Sequence, residues 1–330
     1  MRAITLALLL APAVVATAAN LDLYAIDTEG GKAVLIVSPS GQTMLIDAGY
    51  PTPDDRDANR IVSLAQSLGI KSFDYIMATH YDADHAGNIP RVDARIPARA
   101  FIDHGELIST AGDPDRSKFY PAYLENIKGR PRTSVKPGDT IPLSGVKITV
   151  LSAGGNVWKK PGAAPNPLCA GVTRSTETDK DDNAGSVGIL LEYGKFRMAD
   201  FGDLLSAIEY DLMCPANPVG TVDLFMVSHH GLKRSNSEIL VHSLRPRVAV
   251  MNNGPRKGGD PAVFDVLKSS PGFQDLWQLH YSPMAKEKNS PESMIANMDA
   301  QCEGKAIKIS AQADGAFTVT NLRTGYSKKY

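Results

Sequence analysis

Four side chains able to hold a metal ion fall within six consecutive residues of Thr79-His80-Tyr81-Asp82-Ala83-Asp84-His85-Ala86-Gly87. Two imidazoles and two carboxylates at this density suit zinc, manganese or iron better than calcium or magnesium. A loop leaving a strand can turn such side chains inward from both sides of the backbone, which a helix cannot do at i and i+2. A solvated polar turn is the plainer alternative, and it has no need of these four groups packed so closely. Two later segments offer matching groups. Met198-Ala199-Asp200-Phe201-Gly202-Asp203 ends in a carboxylate able to bridge two ions or complete the shell of one. Asp203 is the better candidate there, with Asp200 a supporting group or a helix N-cap. Ser228-His229-His230-Gly231 supplies adjacent imidazoles, which point opposite ways along a strand. One is expected to bind metal and the other to orient substrate or move a proton. Either fits the ligand's place; we assign His229 to the metal and His230 to the proton.

The elements around these groups place all three segments at strand ends. Strand signals run over Leu21–Ile26, Ala33–Val37 and Thr43–Ile46, punctuated by Gly30-Gly31 and Pro39-Ser40-Gly41. Arg60–Leu68 carries apolar residues at helical spacing and stops at Gly69. Phe73–Ala78 reads as a short buried strand that delivers Thr79-His80 into a loop. Further strands are expected at Val146–Leu151, Val187–Tyr193, Val222–Val227, Val248–Met251, Ile307–Ile309 and Phe317–Val319. Helices are expected at Ala122–Ile127, Leu204–Leu212, Ser237–Ser243, Pro261–Ser269 and Pro291–Asp299. Alternating elements with clusters of consecutive strands suit an α/β sandwich with two sheets inside and helices outside. Gly154–Asn183 is rich in Pro, Gly and charge without apolar periodicity, and reads as a loop flanking the site.

Together the three segments resemble the metallo-β-lactamase superfamily. The usual signature of that group is His-x-His-x-Asp-His, and here it reads His80-x-Asp82-x-Asp84-His85. The change makes the chain most similar to the β-lactamase-like domain of competence-type (ComEC-like) DNA-uptake proteins. Asp27–Ile36, Leu45-Ile46-Asp47-Ala48-Gly49 and Asp182-Asn183-Ala184-Gly185-Ser186 extend the likeness, as do Gly202-Asp203 and His229-His230-Gly231. The resemblance implies a four-layer αββα sandwich with a metal site along one edge. It also implies one shell from Asp84, His85, Asp203 and one of His229 or His230, and another from His80, Asp82 and Asp203. Many members add a histidine to the second shell, where this chain has Asp182-Asn183 and His104 lies too early. One firm metal and a second, weaker one are therefore expected.

With a divalent ion bound, water at such a site ionises near neutral pH and the attacked oxygen is polarised. Asp84 could orient or deprotonate that water, and His230 could protonate the leaving group. Asp82 in place of a histidine makes its site harder and more anionic, favouring Mn²⁺ or Mg²⁺ beside Zn²⁺ and hence phosphate chemistry. We expect a phosphodiester substrate, DNA or nucleotide included, ahead of a lactone, thioester or lactam. A non-catalytic binding protein with a reduced metal site is the third candidate. Lys233-Arg234 and Arg256-Lys257 could place positive charge near the site, or form ordinary solvated surface. His242 reads as structural, and His280, at the end of a strand over Leu276–Leu279, either packs or approaches the site, packing being the first reading.

The chain has 330 residues, 43% hydrophobic and 22% charged, which is ordinary for a soluble globular protein. A net charge of −1 gives no overall pull towards nucleic acid or anionic membrane. Arg2, the apolar run Ile4–Val15 and Ala16-Thr17-Ala18 form the pattern of a cleavable export signal. Residues 1–19 are thus expected to be a leader and 20–330 a hydrolase domain, periplasmic or secreted, without stable membrane association after cleavage. No protein partner is implied. Cys169, Cys214 and Cys302 allow at most one internal disulfide with one thiol left over.

Overall fold

The computed structural model describes residues 19–108, 116–176 and 181–330. Apart from its last position, the expected leader lies outside the described residues.

Two nine-stranded sheets pack face to face. The first runs in the order Ser327–Lys329, Phe317–Asn321, Ile307–Ala311, Leu21–Ala25, Val34–Val37, Thr43–Ile46, Phe73–Met77, Ala98–Asp103, Arg132–Ser134. The second runs Ile295–Asn297, Asp275–His280, Val248–Met251, Leu224–Val227, Phe196–Asp200, Gly188–Tyr193, Lys147–Ala153, Thr140–Ile141, with Asn156–Val157 paired to Lys147–Ala153. Side chains from both sheets, among them Leu23, Ile36, Met77, Val150, Leu191, Leu224 and Trp277, form one buried layer between them. The outer face of the first sheet is covered by helices Arg56–Ser67, Ile89–Asp93 and Arg116–Ile127. The outer face of the second is covered by Ser206–Met213, Glu238–Leu244 and Pro261–Ser269. In Arg56–Ser67, Ala58, Ile61, Val62 and Ala65 recur at helical spacing, and these are the apolar residues buried. The result is the expected αββα sandwich.

Topology brings the chemistry to one edge. Thr43–Ile46, Phe73–Met77 and Ala98–Asp103 are mutually parallel, so Asp47, Thr79-His80 and His104 all emerge from the same end of the first sheet. Phe196–Asp200, Leu224–Val227, Val248–Met251 and Asp275–His280 are likewise parallel. Their C-terminal ends carry Asp203, His229-His230, the loop from Asn252 and His280. Binding sites outside the carboxyl ends of parallel strands are the rule in α/β sheets.

Most boundaries agree with the sequence expectations within a few residues. One helix does not form: Pro291–Asp299 contains a single tight turn, Glu292–Met294, followed by the edge strand Ile295–Asn297. Met294, Ile295 and Ala296 are buried in succession, which a one-sided helix cannot arrange. Asn297 also ties this strand to Leu279 and Lys305. Strand Ala98–Asp103 was not expected, because Arg99 interrupts its short apolar run. The Gly154–Asn183 segment lies mainly against helix Ser206–Met213, through Asn166 to Met213, Arg174 to Asp211 and the disulfide Cys169–Cys214. Among its described residues the far end, through Asp182 bonded to Tyr81 N, reaches the site; 177–180 fall outside the described residues. Cys302 is the leftover thiol.

Candidate metal centre

Asp84, His85, Asp203 and His230 are all buried, and one ligand atom of each lies within 4.8 Å of the others. His85 Nε2 stands 3.2 Å from Asp203 Oδ1 and 3.4 Å from Asp84 Oδ2. His230 Nε2 stands 3.0 Å from Asp84 Oδ2 and 3.2 Å from Asp203 Oδ2. The two Nε2 atoms are 3.2 Å apart. Ligands at ordinary zinc bond lengths on a tetrahedron sit about 3.3 Å from one another, so these separations are those of a coordination shell. Orientation agrees. His85 Nδ1 is bonded to Asp47 Oδ2 at 2.9 Å, and His230 Nδ1 to the carbonyl of Asn252 at 3.1 Å. Both rings spend their N–H on an oxygen outside the cluster, which leaves the Nε2 lone pairs facing inward. Two facing lone pairs repel without a cation between them, so the residues present fit a divalent ion.

The electrostatics carry the same demand. Burial by itself would raise the carboxyls of Asp84 and Asp203. For Asp84 the Lys257 ammonium and the imidazoles of His85 and His230 outweigh it, and hold the group well below the usual carboxylate range. For Asp203 the imidazoles of His230, His85 and His229 do so. Burial would lower His85, but Asp203, Asp84 and Asp47 lift it well above the ordinary value. Without metal, a proton on His85 supplies the positive charge that the carboxylates require.

A second place adjoins the first. His80 Nε2 is buried without a hydrogen bond, 3.6 Å from Asp82 Oδ2. Its other nitrogen is 3.1 Å from Thr79 Oγ1. Asp203 Oδ1 makes no hydrogen bond of good geometry. His229 Nε2 lies 3.5 Å from Asp203 Oδ2, with Nδ1 bonded to Ser235 Oγ at 3.0 Å. Burial pushes His229 down to about 4, so it is neutral at neutral pH.

The fold thus draws His230 into the four-residue cluster, where the sequence reading had His229. The reason lies in the backbone. Ser228–Gly231 leaves the strand as a tight turn in which His229 (φ 51°) and His230 (φ 55°) are both left-handed. Strand alternation therefore does not apply, and both rings face the site. Each such residue costs of order 1–3 kcal/mol, a cost usually met at functional positions. Several bonds hold the turn: His229 N to Gly202 O, Gly259 N to His230 O, and Asn236 bridging Ser228 N and O. Buried Glu209 anchors that asparagine by accepting from Asn236 N and Ser237 N.

Asp200 is not in the cluster; it forms a buried ion pair with Lys32 and accepts from Gly202 N, fixing the turn before Asp203. Asp182 accepts from Tyr81 N and Ile108 N, and His104 sits 3.4 Å from it against the Tyr81 ring. His242 bonds the Val266 carbonyl. In a second convergence, Asp27, His280 and Cys302, the Asp27 oxygens are already engaged, while His280 Nδ1 makes no hydrogen bond. Asp27 accepts from His280 Nε2 at 2.8 Å, Arg60 at 3.0 Å and the Cys302 thiol, which burial pushes up to about 11. Sequence reasoning passed over Asp47, Tyr50 and Asn252, and left Lys257 undecided. Asp47 was visible in Leu45-Ile46-Asp47-Ala48-Gly49, where a lone carboxylate follows a fully apolar strand.

The family model of the metallo-beta-lactamase superfamily matches residues 26–213. The chain belongs to that superfamily. Within it, the chain is 25% identical over 242 residues to ComE operon protein 3 of Bacillus subtilis (strain 168), covering 69% of this chain and 28% of that protein. It is 28% identical over 230 residues to Recombination protein 2 of Haemophilus influenzae, covering 69% and 24%. The chain spans about a quarter of the length of these curated relatives. Among solved structures, Igni18, described as a novel metallo hydrolase from Ignicoccus hospitalis, aligns over 88% of this chain and 98% of its own. That alignment has a TM-score of 0.45 and 15% identity. Membership of the metallo-beta-lactamase superfamily supports a metal-dependent hydrolase in general terms, and the carboxylate–histidine cluster is the candidate place for a divalent ion.

Proposed function

We propose that this chain is an exported, metal-dependent phosphodiesterase. The observation that carries the metal-dependent part is the ligand-ready convergence of Asp84, His85, Asp203 and His230. These four would hold the firmer ion; His80, Asp82 and Asp203, with His229 turned towards them, would hold a weaker second one. When bound, such ions supply a nucleophilic water at neutral pH and clamp the oxygens of a phosphoryl group. Asp47 and Asn252 keep the two imidazoles aimed, and neutral His229 keeps Nε2 available. Lys257 stays charged beside Asp84, where it opposes negative charge gathering on a phosphoryl oxygen.

Phosphate is favoured over lactone, thioester or lactam by three features. Asp82 hardens the second place, the Lys257 ammonium stands beside Asp84, and the Gly154–Asn183 segment is polar rather than an apolar lid. The name Recombination protein 2 points to nucleic acid for that relative, and supports the same substrate class here. Export is supported by the leader pattern and by strand Leu21–Ala25, which is paired on both sides and starts directly after the expected cut. None of the described helices is long and apolar enough to cross a membrane.

The test is turnover of a chromogenic phosphodiester, a lactone and a thioester by the mature chain with Mn²⁺ or Zn²⁺, beside Asp203→Ala. Metal-dependent diester hydrolysis lost in the variant is the expected outcome. Bound metal with diester turnover no higher than the variant's would overturn the reading; no turnover of any substrate would favour a binding protein.

A further inference from the structure

Beside Asp84 an open groove of about 520 Å³ is lined by Glu29, Tyr50, Thr52, Arg56, Phe119, Arg256 and Lys257, among others. Its charges do not cancel. Arg56 is spent on Glu29 and Asp57, at 2.6 Å each. Glu29 is held from its other oxygen by Arg60. Lys257 pairs with Asp84 and donates to Tyr50 Oη at 3.3 Å. Arg256 is exposed and, among the described residues, has no carboxylate partner. One guanidinium therefore stands free at the rim, a residue further out than the ammonium that touches the metal cluster.

The loop carrying these cations is fixed in place. Gly254 N bonds the carbonyl of Lys257, closing a tight turn with Arg256 near its tip. A Cβ on Gly254 would come within 2.2 Å of the Glu29 carbonyl, and one on Gly258 within 2.0 Å of the His230 carbonyl. The loop is thus pressed against the opening strand pair on one side and a cluster residue on the other. An arginine with no carboxylate partner among the described residues, carried on a loop fixed beside an ion site, suits an oxyanion. Tyr50 and Phe119 add apolar walls for what joins two anions together.

We propose that Arg256, with Lys257 behind it, forms a subsite for a second phosphate of the substrate, so that the enzyme prefers substrates with two phosphates on one nucleoside-sized unit. The proposal rests on the phosphodiester reading and names a substrate class within it. Arg256 acts as a specificity residue, and Lys257 links its subsite to Asp84.

Calorimetric titration of the metal-loaded mature chain with thymidine 3′,5′-bisphosphate and thymidine 5′-monophosphate tests it. A charge-assisted contact makes the bisphosphate bind about tenfold tighter or better. Arg256→Ala brings the two within about twofold. Metal content by mass spectrometry stays at the wild-type level in that variant. Equal binding of the two nucleotides by wild type, binding of neither, or a preference that survives Arg256→Ala would each overturn the proposal. Failure of the parent reading is separable: a bisphosphate preference without diester turnover keeps the subsite and sinks the phosphodiesterase, and turnover without the preference does the reverse.

Discussion

Removing each of the adjacent histidines should have unequal effects on metal-linked stability. His230 Nε2 meets Asp84 at 3.0 Å and Asp203 at 3.2 Å, whereas His229 Nε2 meets only Asp203, at 3.5 Å. With metal at a hundredfold excess over Kd, the native state gains about 2.7 kcal/mol. Unfolding entropy near 2 cal/mol/K per residue gives about 0.65 kcal/mol/K for a chain of this length, so Tm rises by about 4 °C. Loss of a supporting contact to a ligand already costs ~10–100-fold in affinity, so loss of a ligand should cost about a hundredfold or more. At the same metal concentration the gain then falls to roughly 0.4 kcal/mol, a shift of under about 1 °C. His230→Ala is predicted to lose nearly the whole shift and His229→Ala to keep most of it. Thermal unfolding followed by circular dichroism, with and without chelator, checks both. If His229→Ala abolished the shift and His230→Ala kept it, the reasoning from the left-handed turn would be wrong.

Other consequences follow from single features. The Cys169–Cys214 bond closes a span of 45 residues, so Cys169→Ser/Cys214→Ser should cost about 4 kcal/mol and about 6 °C in Tm; an unchanged Tm would argue against the bond. Burial pushes Glu209 up to about 7 from an ordinary 4.5 against the two backbone N–H groups it accepts from. The native state therefore binds this proton more tightly than the unfolded chain does, and its contribution is full below pH 4.5 and lost as pH rises through 7. The loss is roughly 3 kcal/mol, and Glu209→Gln should flatten that slope in guanidinium unfolding between pH 4.5 and 8. A slope that survives the substitution rules Glu209 out as its source. Gly258→Ala should lower both Tm and metal affinity, because its Cβ meets the His230 carbonyl. Gly272→Ala, at a similar φ with nothing within 4 Å, should cost only about 1 kcal/mol and leave metal binding intact. Equal losses would mean that the Gly254–Gly259 loop does not position His230.

Much of the architecture was legible because the strands here are short, apolar and stopped by turn residues. Thr43–Ile46 and Val248–Met251 fall on the expected residues, and Pro261 at the first turn marks its helix as expected. Asp84, His85 and Asp203 were visible as chemistry because each follows a buried strand. The places where pattern reasoning stopped are tertiary. Strand alternation could not foresee two consecutive left-handed histidines, whose conformation depends on Asn236, Gly202 and Gly259 from elsewhere in the chain. Lys257 read equally as a cation near the site or as ordinary surface, and the packing of its loop against His230 and Glu29 is what brings it to Asp84. Pro291–Asp299 has an apolar spacing compatible with a helix, yet the open edge of the second sheet captures Ile295–Asn297 as a strand. Asp27, His280 and Cys302 lie far apart in sequence and meet only through the sheet order.

One divalent ion is expected between Asp84, His85, Asp203 and His230. Anomalous diffraction from crystals of residues 20–330 grown with Zn²⁺ or Mn²⁺, recorded on both sides of the metal's absorption edge, locates it. A strong peak about 2.0–2.2 Å from Asp84 Oδ2, His85 Nε2, Asp203 and His230 Nε2 is the expected result, with any second, weaker peak beside His80 and Asp82. No peak at the cluster, or a peak only at Asp27, His280 and Cys302, would contradict it.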